Sequence, residues 1–180
     1  ITVTGNTLFL NVLFIAATTI TSVAIAIMLA EISNKWVKKI TQSIVILPHF
    51  MSWTIVSMLS VAILSANGVV NQLITMVGGK TIEFYNTPSV WPAILVILKV
   101  WQGAGFGSIV YLATITGIDA SIYEAAAVDG ASKTQCIFKV TLPMLKNTII
   151  MLTIMSVGKI FNGDFGMIYA MVGSNSILYP

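Results

Sequence analysis

The chain has 180 residues, of which 57% are hydrophobic and only 8% charged, with a net charge of +3. A soluble domain carries roughly 25% charged residues; this composition cannot cover a water-facing surface and places the chain in a membrane. The positive surplus comes entirely from lysine, and in a membrane protein it reports orientation; no basic patch interleaves with aromatics, which sets nucleic acid aside.

Cys136 is the single cysteine and His49 the single histidine. An internal disulfide, a metal-ligand spacing and histidine pairs are all excluded. The fold class expected is all-α, a polytopic bundle of membrane helices.

Residues Ile1–Gly5 are expected as a short polar stretch outside the cell, before a first span at Leu8–Ala30. A helix needs about 20 residues to cross the hydrocarbon, and this run suffices. Glu31–Lys39 carries Lys35, Lys38 and Lys39 beside Trp36. Lysines flanking a span mark the cytoplasmic side, so the first span runs inward. The second span, Ile40–Ala66, runs back out and contains Pro48, which should kink the helix or end a short lead-in turn. A short surface helix at Val69–Val77 is closed by Gly78-Gly79, and Lys80–Ser89 is an irregular outer loop. The third span, Val90–Thr116, runs inward with Trp91 at its outer interface. Gly117–Leu142 is cytoplasmic. Pro143–Ile160 is the fourth span, and Phe161–Pro180 is read as an outer loop leading to a further span. Lysines test this topology: Lys35, Lys38, Lys39, Lys133, Lys139 and Lys146 lie at or near the inner side, against Lys80 and Lys159 outside.

The cytoplasmic segment is the polar interruption of the second half. Ser121 and Glu124 form an S-x-x-E capping box that predicts a helix start at Ser121. Ala125-Ala126-Ala127 propagates the helix with almost no bulk, so another protein's groove can close on it. Gly130 ends it, because glycine readily takes the left-handed conformation. Ser132 and Gln135 repeat the capping pattern for a second short helix. Leu142-Pro143 then turns the chain into the fourth span. The expectation is helix, glycine joint, helix, proline joint.

The order Glu124-Ala125-Ala126, three residues, Gly130, nine residues, Val140-Thr141-Leu142-Pro143 resembles the signature of the membrane subunits of bacterial ABC importers. Val140 stands where Ile is usual. Asp129-Gly130-Ala131-Ser132 resembles the sugar-importer branch, and Gly158–Gly166 resembles permeases for complex oligosaccharides. The likeness extends to Leu47-Pro48, Gly68, Asn71 and the Trp101 region. It implies a single permease domain over residues 1–180, four spans of a usual six, in the bacterial cytoplasmic membrane. It further implies that Glu124, Ala125, Ala126, Asp129, Gly130 and Pro143 couple to an ATPase subunit dimer, which binds the ATP, so that this chain carries no cofactor. A second permease subunit, usually a different chain, and an extracytoplasmic solute-binding protein complete the implied assembly.

Inside the membrane, Lys99 shares a helix face with Gly103 and Gly107. A charge at that depth costs about 2.5–3.5 kcal/mol on insertion scales, so Lys99 should face protein or a cavity. Lys99, Gln102, Asn162 and Asp164 are the candidates for the substrate path; a structural ion pair for Lys99 and a loop cap for Asp164 are the plainer alternatives. His49 reads as a packing residue. No G-x-x-x-x-G-K-[ST] loop is present, and no acid lies within the spans as read, which disfavours a membrane enzyme or an ion-driven secondary transporter. A permease for another small solute (amino acid, peptide or polyol) is the alternative to a carbohydrate importer.

Overall fold

The structure is a computed structural model that describes residues 2–160 and 164–173. It is all-helical among the described residues. Helix α1 spans Thr2–Glu31, α2 Lys35–Ile46, α3 Trp53–Leu64, α4 Val69–Met76 and α5 Trp91–Thr116. The short α6 spans Ala120–Val128, α7 Lys133–Cys136, α8 Leu142–Val157 and α9 Phe165–Val172. Four helical stretches are long and apolar enough to cross a membrane: Thr4–Glu31, Trp53–Met76, Pro88–Thr116 and Lys133–Val157.

The two unbroken crossings, α1 and α5, pack on one another through small residues. A methyl at Gly107 would lie 2.7 Å from the Ser22 hydroxyl, and one at Gly103 would lie 3.7 Å from Thr18. The Ser22 hydroxyl donates to the Ala104 carbonyl at 3.0 Å. Lipid is as apolar as leucine, so close backbone approach and such interhelical bonds hold membrane helices together. Gly105 makes the tightest approach of the three: a Cβ there would fall on the carbonyl oxygen of Val45 in α2.

The second crossing is discontinuous. Helix α2 stops at Ile46, a 3-10 turn runs over Leu47–Phe50, and α3 restarts at Trp53 with Ser52 as its N-cap. Pro48 supplies no N–H, and its ring opposes the carbonyl four residues back, so the helix ends there rather than bending. The apolar stretch therefore begins at Trp53, not at Ile40.

Residues 164–173 also depart from the sequence reading. Helix α9 is no outer loop. Met167, Met171 and Val172 are buried with Phe14, Val56, Trp91 and Leu95 in one core, and the Ser57 hydroxyl donates to the Ala170 carbonyl at 2.6 Å. Helix α9 runs beside α3 in the same direction, with Gly166 against the Trp53 indole. A second core joins Val23, Ala26, Leu29, Tyr111, Leu112, Ile115 and Leu145 from α1, α5 and α8. The outer core thus holds α3 and α9, and the inner core holds α8.

Three smaller expectations are corrected. The first helix begins at Thr2 rather than at Leu8, so the short polar stretch before the first span is itself helical from residue 2. Trp91 is 4% exposed and donates its indole N–H to the Phe84 carbonyl at 2.9 Å, so it belongs to the core rather than to a lipid interface. Pro143 makes no joint: α7 continues through a widened π turn at Ile137–Thr141 into α8. The ring of Pro143 would clash with the carbonyl of Lys139 four residues back in a regular helix; the extra residue of the π turn accommodates it. Helix α4 and the Gly78-Gly79 stop stand where the sequence placed them.

Candidate functional site: helix α6 and the junction beside α5

The N-cap of helix α6 lies two residues earlier than the expected capping box places it. Its N-cap is Asp119, whose side chain accepts from the Ser121 backbone N–H at 2.9 Å. That bond holds the Asp119 carboxyl below the usual carboxylate range. Ser121 and Glu124 therefore lie inside the helix, and the expected capping box is not formed. The second box is formed: Ser132 and Gln135 exchange both bonds.

The far end is closed by a Schellman pattern. Ala131 N–H donates to the Ala126 carbonyl at 2.9 Å and Gly130 N–H to the Ala127 carbonyl at 3.0 Å. The pattern needs a left-handed residue, and Gly130 supplies it with φ +76°. Glu124, Ala125, Asp129 and Gly130 are exposed, and Val128 is 88% exposed. The opposite side of the helix faces a cavity of about 450 Å³ beneath the inner ends of α1 and α5. Helix α6 is thus held chiefly at its ends. One side-chain contact ties it to the fourth crossing: the Tyr123 hydroxyl lies 3.0 Å from that of Thr141 in the π turn. Sequence reasoning gave neither residue a role, although Tyr123 adjoins Glu124 and Thr141 lies inside the Val140–Pro143 motif. Pro143 stands just after this turn, away from the exposed face of α6.

The second constellation lies where the broken crossings meet α5. Lys99 bonds Asp164 at 2.5 Å, with side chains 31% and 25% exposed. Its ammonium also sits 5.5 Å from the centre of the Trp53 ring. Gln102, one turn further, donates to the Met51 carbonyl at 2.8 Å, satisfying backbone freed by the break. Asp164 additionally caps α9 by accepting from the Met167 N–H at 3.2 Å. His49 stacks on Phe106 at 4.2 Å between ring centres. Two sequence candidates, Lys99 and Asp164, are therefore partners of one another. Gln102 holds backbone one turn away, and Asn162 lies outside the described residues. Backbone irregularity at membrane depth is tolerated where protein or a cavity receives it, and this junction has that character.

The model of the family described as "Binding-protein-dependent transport system inner membrane component" matches residues 22–177. The chain belongs to this permease family. Among its curated relatives is the polygalacturonan/rhamnogalacturonan transport system permease protein YteP of Bacillus subtilis, 34% identical over 95% of this chain and 54% of the relative. Protein LplB of the same organism is 33% identical over 83% of this chain and 48% of that one. The chain spans about half the length of these relatives. Among solved structures, a bacterial ABC transporter involved in import of the acidic polysaccharide alginate superposes with a TM-score of 0.91 at 36% identity, over 97% of this chain and 62% of that chain. The permease fold and a multi-pass place in the cytoplasmic membrane follow from this membership.

Proposed function

We propose that this permease forms part of the translocation path of an ATP-driven importer for an oligosaccharide, and that α6 is the element an ATPase subunit grips. The observation that carries the reading is the exposed α6, closed by left-handed Gly130 and tied through Tyr123 to the base of the fourth crossing. A partner can close on its small residues, and any displacement passes directly to α8. The chain performs no chemistry of its own in this reading: ATP is hydrolysed by the partner dimer, and a second permease subunit and an extracytoplasmic binding protein complete the machine. Support comes from relatives named for sugar polymers and from a solved alginate importer in complex with a pentasaccharide-bound periplasmic protein. Lys99, Gln102 and Asp164 hold the wall of the path rather than its centre, since their polar groups are engaged with protein.

The test is reconstitution. The full transporter, co-expressed with its neighbouring ATPase and partner permease, should co-purify as one complex and take up a labelled oligosaccharide only with ATP. Glu124→Lys should release the ATPase subunit while the permease still inserts. Uptake without ATP, or an unaltered complex with Glu124→Lys, would overturn the reading.

A further inference from the structure

Helix α4 presents three sides of different chemistry. At about 100° per residue, Val70, Asn71 and Ile74 fall together on the side that meets the protein, and Asn71 is buried. Its amide donates to the Ser65 carbonyl at 3.0 Å and to the Ile82 carbonyl at 2.9 Å, and accepts from the Ile82 N–H at 2.8 Å. One side chain thus ties α4, the end of α3 and the following loop together. Gln72 and Thr75 form a second side, exposed and polar. Val69, Leu73, Met76 and the C-cap Val77 form the third, and each is 54% to 86% exposed. No charged residue stands between Val69 and Gly79.

The level of α4 along the bundle says what covers the third side. Leu64, the last residue of α3, borders one cavity with Phe84, Tyr85 and Asn86. Trp91, the first residue of α5, donates to the Phe84 carbonyl. Helix α4 therefore stands where one crossing ends and the next begins, at the boundary of the hydrocarbon. Its approach is tight: a Cβ at Gly68 would fall on the Ile63 carbonyl. The apolar composition of α3 runs on through that turn, and Trp53–Met76 is apolar enough throughout to enter a membrane. A helix in water turns its apolar side to the core and its polar side out. Helix α4 turns an apolar and a polar strip outward side by side, which suits protein on one flank, hydrocarbon on the second and water on the third.

We propose that α4 is an in-plane lipid anchor: Val69, Leu73, Met76 and Val77 lie in the edge of the bilayer, and the buried Asn71 passes that hold to the loop at Ile82. The partner is the acyl region of phospholipid rather than its headgroup charge, because α4 has no charge to offer it. The inference needs only the membrane placement of the family and is independent of the oligosaccharide reading. The face of another protein is the competing cover.

The complete transporter, carrying Cys136→Ser, is reconstituted in phosphatidylcholine bilayers with a bimane probe on Leu73→Cys or on Gln72→Cys. The probe at Leu73→Cys should be quenched by lipid spin-labelled near the top of its acyl chain, and iodide in the water should reach it roughly five-fold less than the probe at Gln72→Cys. Adding phosphatidylglycerol should leave both readings unchanged. Amide exchange across residues 80–84 should rise roughly ten-fold in the double variant Leu73→Glu with Met76→Glu, and stay within about two-fold in Gln72→Glu. Equal access of iodide to the two probes would place α4 in water and overturn the anchor. A Leu73→Cys probe reached by neither quencher would place a protein over it and overturn it too. Unchanged exchange in the double variant would overturn the hold on the loop, and the quenching pair decides alone if that variant does not assemble.

Discussion

The hydroxyls of Tyr123 and Thr141 meet at 3.0 Å across the gap between the cytoplasmic helix and the fourth crossing. Thr141 is 5% exposed and also reaches back to the Cys136 carbonyl at 3.4 Å, so the bond lands inside the π turn rather than on a free surface. A neutral hydrogen bond contributes about 0.5–1.5 kcal/mol net. Tyr123→Phe and Thr141→Val should each lower the sugar transported per ATP hydrolysed by roughly 2- to 10-fold, the span that this energy represents. The permease–ATPase complex should remain intact. Proteoliposomes report both quantities, and an unchanged ratio in both variants would sink the idea.

Gly130 sits at φ +76° in open space, with nothing near enough to touch an added Cβ. The penalty for a side chain there is therefore backbone strain alone, about 1–2 kcal/mol. Gly130→Val should loosen the Schellman end of α6 and uncouple ATP hydrolysis from uptake while the subunit still inserts. Gly130→Asn, which tolerates the left-handed region better, should retain more coupling. Equal activity of the two variants would remove strain as the cause.

Gly105 and Gly103 differ by two positions and by what they meet. The first has the Val45 carbonyl in the place of a side chain; the second has room, with its nearest neighbour at 3.7 Å. Gly105→Ala should lower the thermal midpoint of the solubilised complex by an amount matching about 1–3 kcal/mol of overpacking. Gly103→Ala should be near neutral. Fluorescence-detected size exclusion after a heating series distinguishes them, and similar midpoints would contradict the packing.

Lys99 and Asp164 should behave as a pair. Breaking one partner leaves the other charge at membrane depth, whereas removing both leaves an apolar contact. Lys99→Met and Asp164→Leu should each destabilise, and the double variant should destabilise less than their sum, with a coupling energy of about 1–3 kcal/mol. A double-mutant cycle on thermal midpoints measures it. Strict additivity would show that the ion pair does not act in the assembled transporter.

Much of this architecture was legible in the residues. Hydropathy gave the helices, and the spacing from Glu124 to Pro143 marked the segment that joins the third and fourth crossings. The misreadings share a cause. Hydropathy reports that a segment is apolar, but depth is set by which residues it packs against. Phe165–Val172 reads as an aromatic-rich loop after a complete span, yet Met167 and Met171 find Trp91 and Leu95 and draw it into the outer core. Capping misled for another reason: Asp119 and Ser121 are both good N-caps, and the choice fell to Asp119 because α5 ends at Thr116 and the chain turns immediately after it.

The interrupted second crossing carries a mechanical consequence. Helices α2 and α8 end below the level of Lys99, and α3 and α9 begin beside it, so no rod of the second crossing transmits force through the full thickness. Among the described residues α1 and α5 are the two longest unbroken helices, locked together by glycine, serine and threonine. They form a mast, and the short helices hang from it in an upper and a lower tier. Under the proposed function, a pull on α6 would reach the lower tier first, and the upper tier would follow only as far as the mast and the Lys99–Asp164 clasp allow.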